Sequence, residues 1–384
     1  MDRKVSDALF ALLRTQILGV GELCDGQKAE ITENAAALFG LSRAHDMAHL
    51  VGFSLFEARL STVYPAFERD HMMAVFRHEG LAFELSQIRE TLEKAKIPFI
   101  PLKGALIRDL YPEPWMRTSC DVDVLVHRED ARKAASYLCD TLGYRIKEET
   151  RHDLSLFSEG GVHVELHFSL INEGKNNAGD ALLARAWEHA EPVLGGYEHR
   201  LTDPFFYTYH VAHMARHFAA GGCGIRSFLD LWLLDAQQCD DAARLAMIES
   251  AGLSAFLRAA RDLCRRWFDG EENHDPHLLA VERFVLFGGA YGSKHNYVTL
   301  QQKKRGGKFG YILSRLFIPY EQMKYIYPVL QKAPVLLPIF WVWRWIEHLL
   351  RGGAKRSAEE LRRNQSLSAE ERDSVDQMMR KLGL

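Results

Sequence analysis

The chain is poor in cysteine. Its 6 cysteines, Cys24, Cys120, Cys139, Cys223, Cys239 and Cys264, form no CxxC pair and no zinc-ligand spacing, which removes metal-ribbon and disulfide-scaffold classes. Long apolar runs are also missing. PVLLPIFWVW is about ten residues long and runs into Arg344, short of the roughly 18 apolar residues that span a bilayer. The opening MDRKVSDALFALLRTQILGVGE turns polar too soon for a secretory leader, so the expected setting is the cytoplasm, with reduced thiols. Net charge is nearly absent: 48 basic and 51 acidic residues leave −3, which gives no global argument for a nucleic-acid partner. No internal repeat is visible, which argues against a solenoid.

What is present is an ordinary globular composition. The 384 residues are 47% hydrophobic, enough for a sizeable core and, by length, for about two domains. The charge is locally uneven. Residues 301 to 363 carry 13 Lys and Arg against 4 acids. Apolar residues at three- and four-residue spacing predict helices through the first ninety or so positions, ending in a long helix over FERDHMMAVFRHEGLAFELSQIRETLEKAK. The period then changes to two. IPFIPL, DVDVLV, YRIKEET, DLSLFSE and GVHVELHFSL read as short strands, interrupted by helices over ALIRDLY and REDARKAASYLCDTLG. From about Asp180 onward the pattern is helical again. The expected class is therefore α+β, a small mixed sheet of about four or five strands flanked by helices. The expected regions are 1–94 (helical), 95–178 (sheet core), 179–300 (helical, packed on the core) and 301–384 (basic, aromatic and helical), with the basic loop QQKKRGGK at 301–308 as a boundary.

The sheet region carries the chemistry. Strand side chains alternate, so Asp121 and Asp123 of DVDVLV share one face while Val122, Val124 and Val126 share the other. Like charges so close are tolerable in solvent or around a cation. In GVHVELHFSL, His163, Glu165 and His167 share a face, and pairing beside DVDVLV would bring Glu165 to Asp121 and Asp123. Three convergent carboxylates suit Mg²⁺ or Mn²⁺, and two such ions can bind a triphosphate for in-line displacement at phosphorus. The turn PLKGAL adds a phosphate position, with Gly104 allowing close approach and Lys103 supplying a charge; Arg117 could form a bidentate phosphate contact.

Lys103-Gly104, Arg117, DVDVLV and VELHFSL together resemble the polymerase β-type nucleotidyltransferase superfamily. The closer likeness is to its poorly characterised bacterial branch, in which a KG turn replaces the usual GS turn. LAFELSQIRETLEKAKIPFIPLKG and HVAHMARHFAAGGCGIRSFLDLWLL carry it further, over roughly residues 45 to 260. The resemblance implies that Asp121 and Asp123 hold the metals, that Glu165 is the third carboxylate and helps to activate the acceptor, and that Gly104 is the triphosphate-turn glycine. The loop between Gly104 and Asp121 is longer than the usual pattern. The reading is transfer of a nucleoside monophosphate from an NTP to an acceptor, with pyrophosphate released. The resemblance leaves the acceptor open among a small molecule, a peptide or protein side chain and an RNA end. Rival readings are a non-catalytic or antitoxin-like partner-binding module on the same fold, and a metal-dependent phosphohydrolase.

Several residues carry bland readings as well. His163 and His167 can be hydrogen-bonded scaffold. His210, His213 and His217 fall on one helical face at a spacing that could hold zinc, but no cysteine or convincing carboxylate accompanies them. Arg226 and Asp230 are expected either to bridge helices or, with His213, to contact the nucleotide. Residues 309 to 351, with Trp341, Trp343 and Trp345 among Lys and Arg, are expected to cap the core, with a peripheral membrane contact or a partner surface as alternatives.

Overall fold

The computed structural model describes residues 3–171, 178–290, 316–350 and 369–384, together with 292, 296 and 313. The chain opens with helices α1 (Arg3–Leu12), α2 (Asp25–Glu33), α3 (Ala35–Ala44), α4 (Ala48–Glu57) and the 27-residue α5 (Glu68–Lys94). α1 is buried on most of its surface: Val5, Ala8, Leu9 and Leu12 form one apolar stripe, and Phe10 and Ala11 beside it are buried as well.

The sheet follows as expected: β1 (Phe99–Pro101), α6 (Gly104–Ile107), β2 (Asp121–Val126), α7 (Ala131–Leu142), β3 (Arg145–Glu149), β4 (Asp153–Phe157) and β5 (His163–His167). Gly143, at φ 71°, closes α7 in the left-handed conformation, which glycine adopts without a Cβ penalty. The five strands lie in the order β1-β2-β5-β4-β3. β2 and β5 pair in parallel, and the other pairs are antiparallel. The class is thus α+β.

One face of the sheet is dry. Val122, Val124, Val126, Leu154, Leu156, Val164 and Leu166 form a core with Leu81, Leu85, Ile88 and Leu92 of α5 and Ala131, Ala134, Ala135 and Leu138 of α7. A second and larger core runs from Val5 to Leu382. It joins the opening helices to α9 (Asp203–Ala220), α10 (Ile225–Asp235), α12 (Ser254–Cys264) and α13 (Pro276–Gly288), which, with α8 (Ala178–Leu183) and α11 (Asp241–Ser250), follow the sheet. The second half is not wholly helical. Ala190–Pro192 and His199–Leu201 form a two-stranded ribbon, β6 and β7, anchored to β1 by Phe99 N–H donating to the Tyr197 carbonyl at 3.0 Å.

The C-terminal helices are α14 (Tyr320–Ile326), α15 (Val329–Lys332), α16 (Leu337–Leu350) and α17 (Ala369–Lys381). Of the cap expected over 309–351, the described aromatics of 316–350 pack on one another and give no residue to the larger core; outside that stretch, α17 gives Met378 and Met379 to it. The basic run 301–308 lies outside the described residues. No helix among the described residues is long and apolar enough to cross a membrane.

Candidate active site

The parallel register of β2 and β5 sets Asp123 opposite Glu165 and Asp121 opposite His163. Because side chains alternate, Asp121, Asp123, His163, Glu165 and His167 all leave the sheet on the face away from α5 and α7. Asp121, Asp123, Glu165 and His167 line a cavity of about 570 Å³, while His163 shares their strand face beside it. It is also lined by Lys103, Gly104, Arg108 and Arg117, which precede β2, and by Tyr209, His213, Arg216 and His217 on α9. The sheet carboxylates thus share the cavity with cations from the turn and from α9.

The carboxylates are set close together. Asp121, His163 and Glu165 can each offer a ligand atom with all three atoms within 4.8 Å of one another, and so can Asp123, Glu165 and His167. His167 Nε2 lies 3.0 Å from Asp123 Oδ1 and 3.2 Å from Glu165 Oε2. Burial opposes charge on this imidazole, yet its hydrogen bonds to Asp123 and Glu165 raise it to about 9, so it is a cation at neutral pH. Burial would also raise Asp123, but the His167 hydrogen bond and the charge of Lys103 hold it down at about 2. Among the described residues Asp121 has no such hydrogen-bond partner. Burial, and then the charges of Asp123 and Glu165, push it up to about 6. This donor set of clustered carboxylates, with an imidazolium between two of them, fits a divalent cation: positive charge is what the geometry calls for. His163 is held by Ser155 Oγ, 2.7 Å from its Nε2.

Lys103 carries a φ of 27°, a region that non-glycine residues rarely adopt. Its ammonium lies over the Tyr209 ring, 5.2 Å from the centroid. Burial opposes its charge, but Tyr209 and Asp123 outweigh that and raise its pKa. At Gly104 an added Cβ would meet Arg117 Nη1 at 3.0 Å and Ser119 at 3.5 Å, so a side chain there would crowd the arginine on the cavity wall.

Other expected residues are placed differently. Arg117 lines the cavity, but its fork is spent on Asp230, with Nε 3.0 Å from Oδ1 and Nη2 2.9 Å from Oδ2. Tyr111 O–H donates to the same carboxylate at 2.8 Å. Arg226 finds Asp46 at 2.7 Å and the Thr118 carbonyl at 3.0 Å. The bridge expected between Arg226 and Asp230 thus gives way to two longer-range pairs, each tying α10 to other parts of the chain. The histidine trio also divides. His210 turns to the Ser227 carbonyl at 3.1 Å, while His213 and His217 face the cavity with their Nε2 atoms 3.0 Å apart. His210, His213 and His217 are not among the three-ligand groups found in the described residues.

Arg108 and Arg216 are cavity residues that the sequence reading passed over. Tyr209, His213, Arg216, His217 and Ala220 make a single stripe at helical spacing, and that polar stripe on an apolar helix was the available signal.

Residues 32–269, more than half of the chain, match the family described as uncharacterised nucleotidyltransferase, and the chain belongs to it. Comparison with curated proteins and with solved structures returns no match.

Proposed function

We propose that the protein is a metal-dependent nucleotidyltransferase that moves a nucleoside monophosphate from an NTP to an acceptor and releases pyrophosphate. The observation that carries this reading is the parallel register that sets Glu165 beside Asp123 and, with Asp121, in a cavity that Lys103, Arg108, Arg117 and Arg216 also line. Asp121, Asp123 and Glu165 would hold Mg²⁺ or Mn²⁺, with His163 as a further donor in reach and His167 as one once it gives up its proton. The bound ions would supply Lewis-acid stabilisation of charge on the reacting phosphate oxygens.

The chain's own residues account for the rest. Glu165 takes the proton of the acceptor hydroxyl. The acceptor oxygen bonds to the α-phosphorus as the bond to the β-phosphate oxygen breaks, and the electron pair leaves with pyrophosphate. Lys103 meets the charge that develops on that leaving group, and its unusual backbone conformation is consistent with a functional position. Gly104 keeps the turn open, and Arg117 and Arg226, anchored by Asp230 and Asp46, stiffen the wall. A phosphate acceptor would need no base. The protein, small-molecule and RNA-end alternatives differ only in what enters the cavity beside the donor.

The test is to incubate purified protein with each NTP labelled at the α-phosphate, Mg²⁺ or Mn²⁺, and cell extract. Label should pass to an acceptor with release of pyrophosphate, and Asp121→Asn/Asp123→Asn should lose this by at least about a thousandfold, roughly 4 kcal/mol. A double variant with wild-type turnover would remove the metal-site assignment. Release of inorganic phosphate in place of pyrophosphate would favour the hydrolase reading.

A further inference from the structure

The guanidinium groups that line the cavity are not equivalent. Arg117 and Arg226 are held by carboxylates, and Arg108 donates to the Gly104 carbonyl at 2.6 Å and to Ser119 Oγ at 3.2 Å. Arg216 differs from all three. Among the described residues its hydrogen bonds go to a single acceptor, the Leu170 carbonyl, which Nη1 and Nη2 both reach only at 3.4 Å. No carboxylate among the described residues forms an ion pair with it. An arginine cannot shed its proton, so this fork remains a half-buried fixed charge without a counter-ion among the described residues.

The surroundings sharpen the imbalance. Arg216 stands near Lys103, and its charge opposes that of the lysine. The neighbouring imidazoles cannot balance the charge. Burial, followed by Lys103 and Arg216, holds His217 down at about 4 and His213 well below its ordinary value. The balancing negative charge must therefore come from outside the wall. The sheet carboxylates do not serve either: none of Asp121, Asp123 and Glu165 forms an ion pair with Arg216, and Asp123 and Glu165 turn to His167.

We propose that Arg216, with Lys103, is the anchor for the polyphosphate tail of the donor, a role that Arg117 cannot fill while it is forked onto Asp230. The identity of the anion rests on the nucleotidyltransferase reading; the anion site itself does not. A planar fork with two free N–H directions suits bidentate binding of a phosphate, while Lys103 adds a point charge.

The test uses the full chain in EDTA and inorganic tripolyphosphate as the probe, followed by calorimetry. Arg216→Ala should weaken binding by about ten- to a hundredfold, the range expected for lost hydrogen bonds to a charged group. Arg216→Lys should recover part of that loss, since it keeps the charge and loses the fork. A purely structural arginine would instead lower the melting temperature and leave the affinity unchanged, which would overturn the proposal. If the alanine variant does not fold, wild-type protein can be modified with phenylglyoxal and mapped by mass spectrometry. Protection of Arg216 by tripolyphosphate supports the anchor, and equal modification with and without it overturns the anchor. Failure of wild-type protein to bind millimolar tripolyphosphate would also overturn it. If the protein transfers label from NTP while Arg216→Ala binds tripolyphosphate normally, the anchor alone falls. If binding depends on Arg216 but no NTP is turned over, the anchor stands and the transferase reading falls.

Discussion

The two faces of β2 differ by one residue of register and by nearly everything else. Val122, Val124 and Val126 are at most 4% exposed and lock the sheet to α5 and α7. Asp121 and Asp123, on the alternate positions, face a cavity and repel one another. The apolar face is built for stability and the acidic face is built against it: without a cation, the acidic face relies chiefly on His167 and Lys103 to offset its charge. A fold can carry such a face because the other side of the same strand supplies the packing.

The largest effect should come from making the dry face resemble the wet one. Val124→Asp would place an unpaired carboxylate at a position with no solvent exposure, and should cost more than about 4 kcal/mol, enough to unfold an ordinary domain. Urea titration followed by circular dichroism would show it. Asp123→Asn, one residue away, should keep the fold and lose the activity. If Val124→Asp folds normally, the division of labour between the faces is wrong.

Next in size is the wall behind the cavity. Arg117 is 9% and Asp230 2% exposed at their side chains, so Asp230→Ala leaves a buried guanidinium unpaired, with an expected loss of about 3–5 kcal/mol. Replacing both by apolar residues, Arg117→Met with Asp230→Leu, should restore much of that stability, because the desolvation cost disappears with the pair. A double variant no more stable than Asp230→Ala would show that Tyr111 and the turn need the carboxylate for another reason.

The dry face and the acidic pattern were both legible in the sequence, because a period of two needs no tertiary information. DVDVLV and GVHVELH declared their faces, and the shared face of Asp121, Asp123 and Glu165 followed once the two strands were set side by side. What could not be read were partners far along the chain. Arg117 and Asp230 are 113 residues apart, and Arg226 and Asp46 are 180 apart, with no local pattern to link them. The β6–β7 ribbon escaped because its strands are only 3 residues each, too short to show a period. His210 was grouped with His213 and His217 by spacing alone, although it lies buried against the Ser227 carbonyl of α10, a contact that spacing does not reveal. The C-terminal aromatics looked like core residues by composition, but their indoles found backbone acceptors within their own segment.

A smaller effect should separate Asp121 from Asp123 by pH. Asp121 rises from an ordinary 3.8 to about 6 in the folded protein, so the native state binds its proton more tightly than the unfolded chain. In metal-free protein its contribution to stability is therefore lost as pH climbs from about 4 to 6. Asp123, held at about 2, has the opposite sign and stabilises the fold until pH falls from about 4 towards 2. His167, raised to about 9, stabilises below its ordinary 6.5 and loses that support as pH rises through 9. Asp121→Asn in EDTA should thus raise the melting temperature at pH 7.5 and leave it nearly unchanged at pH 4. Added Mn²⁺ should reverse the order, since only wild type gains the ion's binding energy. A melting temperature that falls at pH 7.5 in EDTA would mean that Asp121 is not under charge strain.

The smallest effect on stability should come from the C-terminal helix, where a second contrast of neighbours applies. The indole N–H groups of Trp341 and Trp345 donate to the Ile318 and Leu316 carbonyls at 2.8 and 2.9 Å, and both rings pack on Phe317. Trp343 lies between them in sequence, yet it is 56% exposed, beside Ile339 at 63%, Val342 at 47% and Ile346 at 45%. These four fall at three- and four-residue spacings and form an apolar stripe on the outside of α16, the pattern of a helix that lies against an interface. Trp343→Ser should therefore change the unfolding free energy by no more than about 0.5 kcal/mol. It should nonetheless weaken sedimentation with anionic vesicles, in a salt-sensitive way because Lys and Arg flank the stripe. Trp345→Ser would give the mirror result, a loosened segment. Wild-type protein that ignores vesicles at low salt would turn the stripe from a membrane contact into a partner surface. A large drop in stability from Trp343→Ser would mean instead that the stripe is covered within the chain.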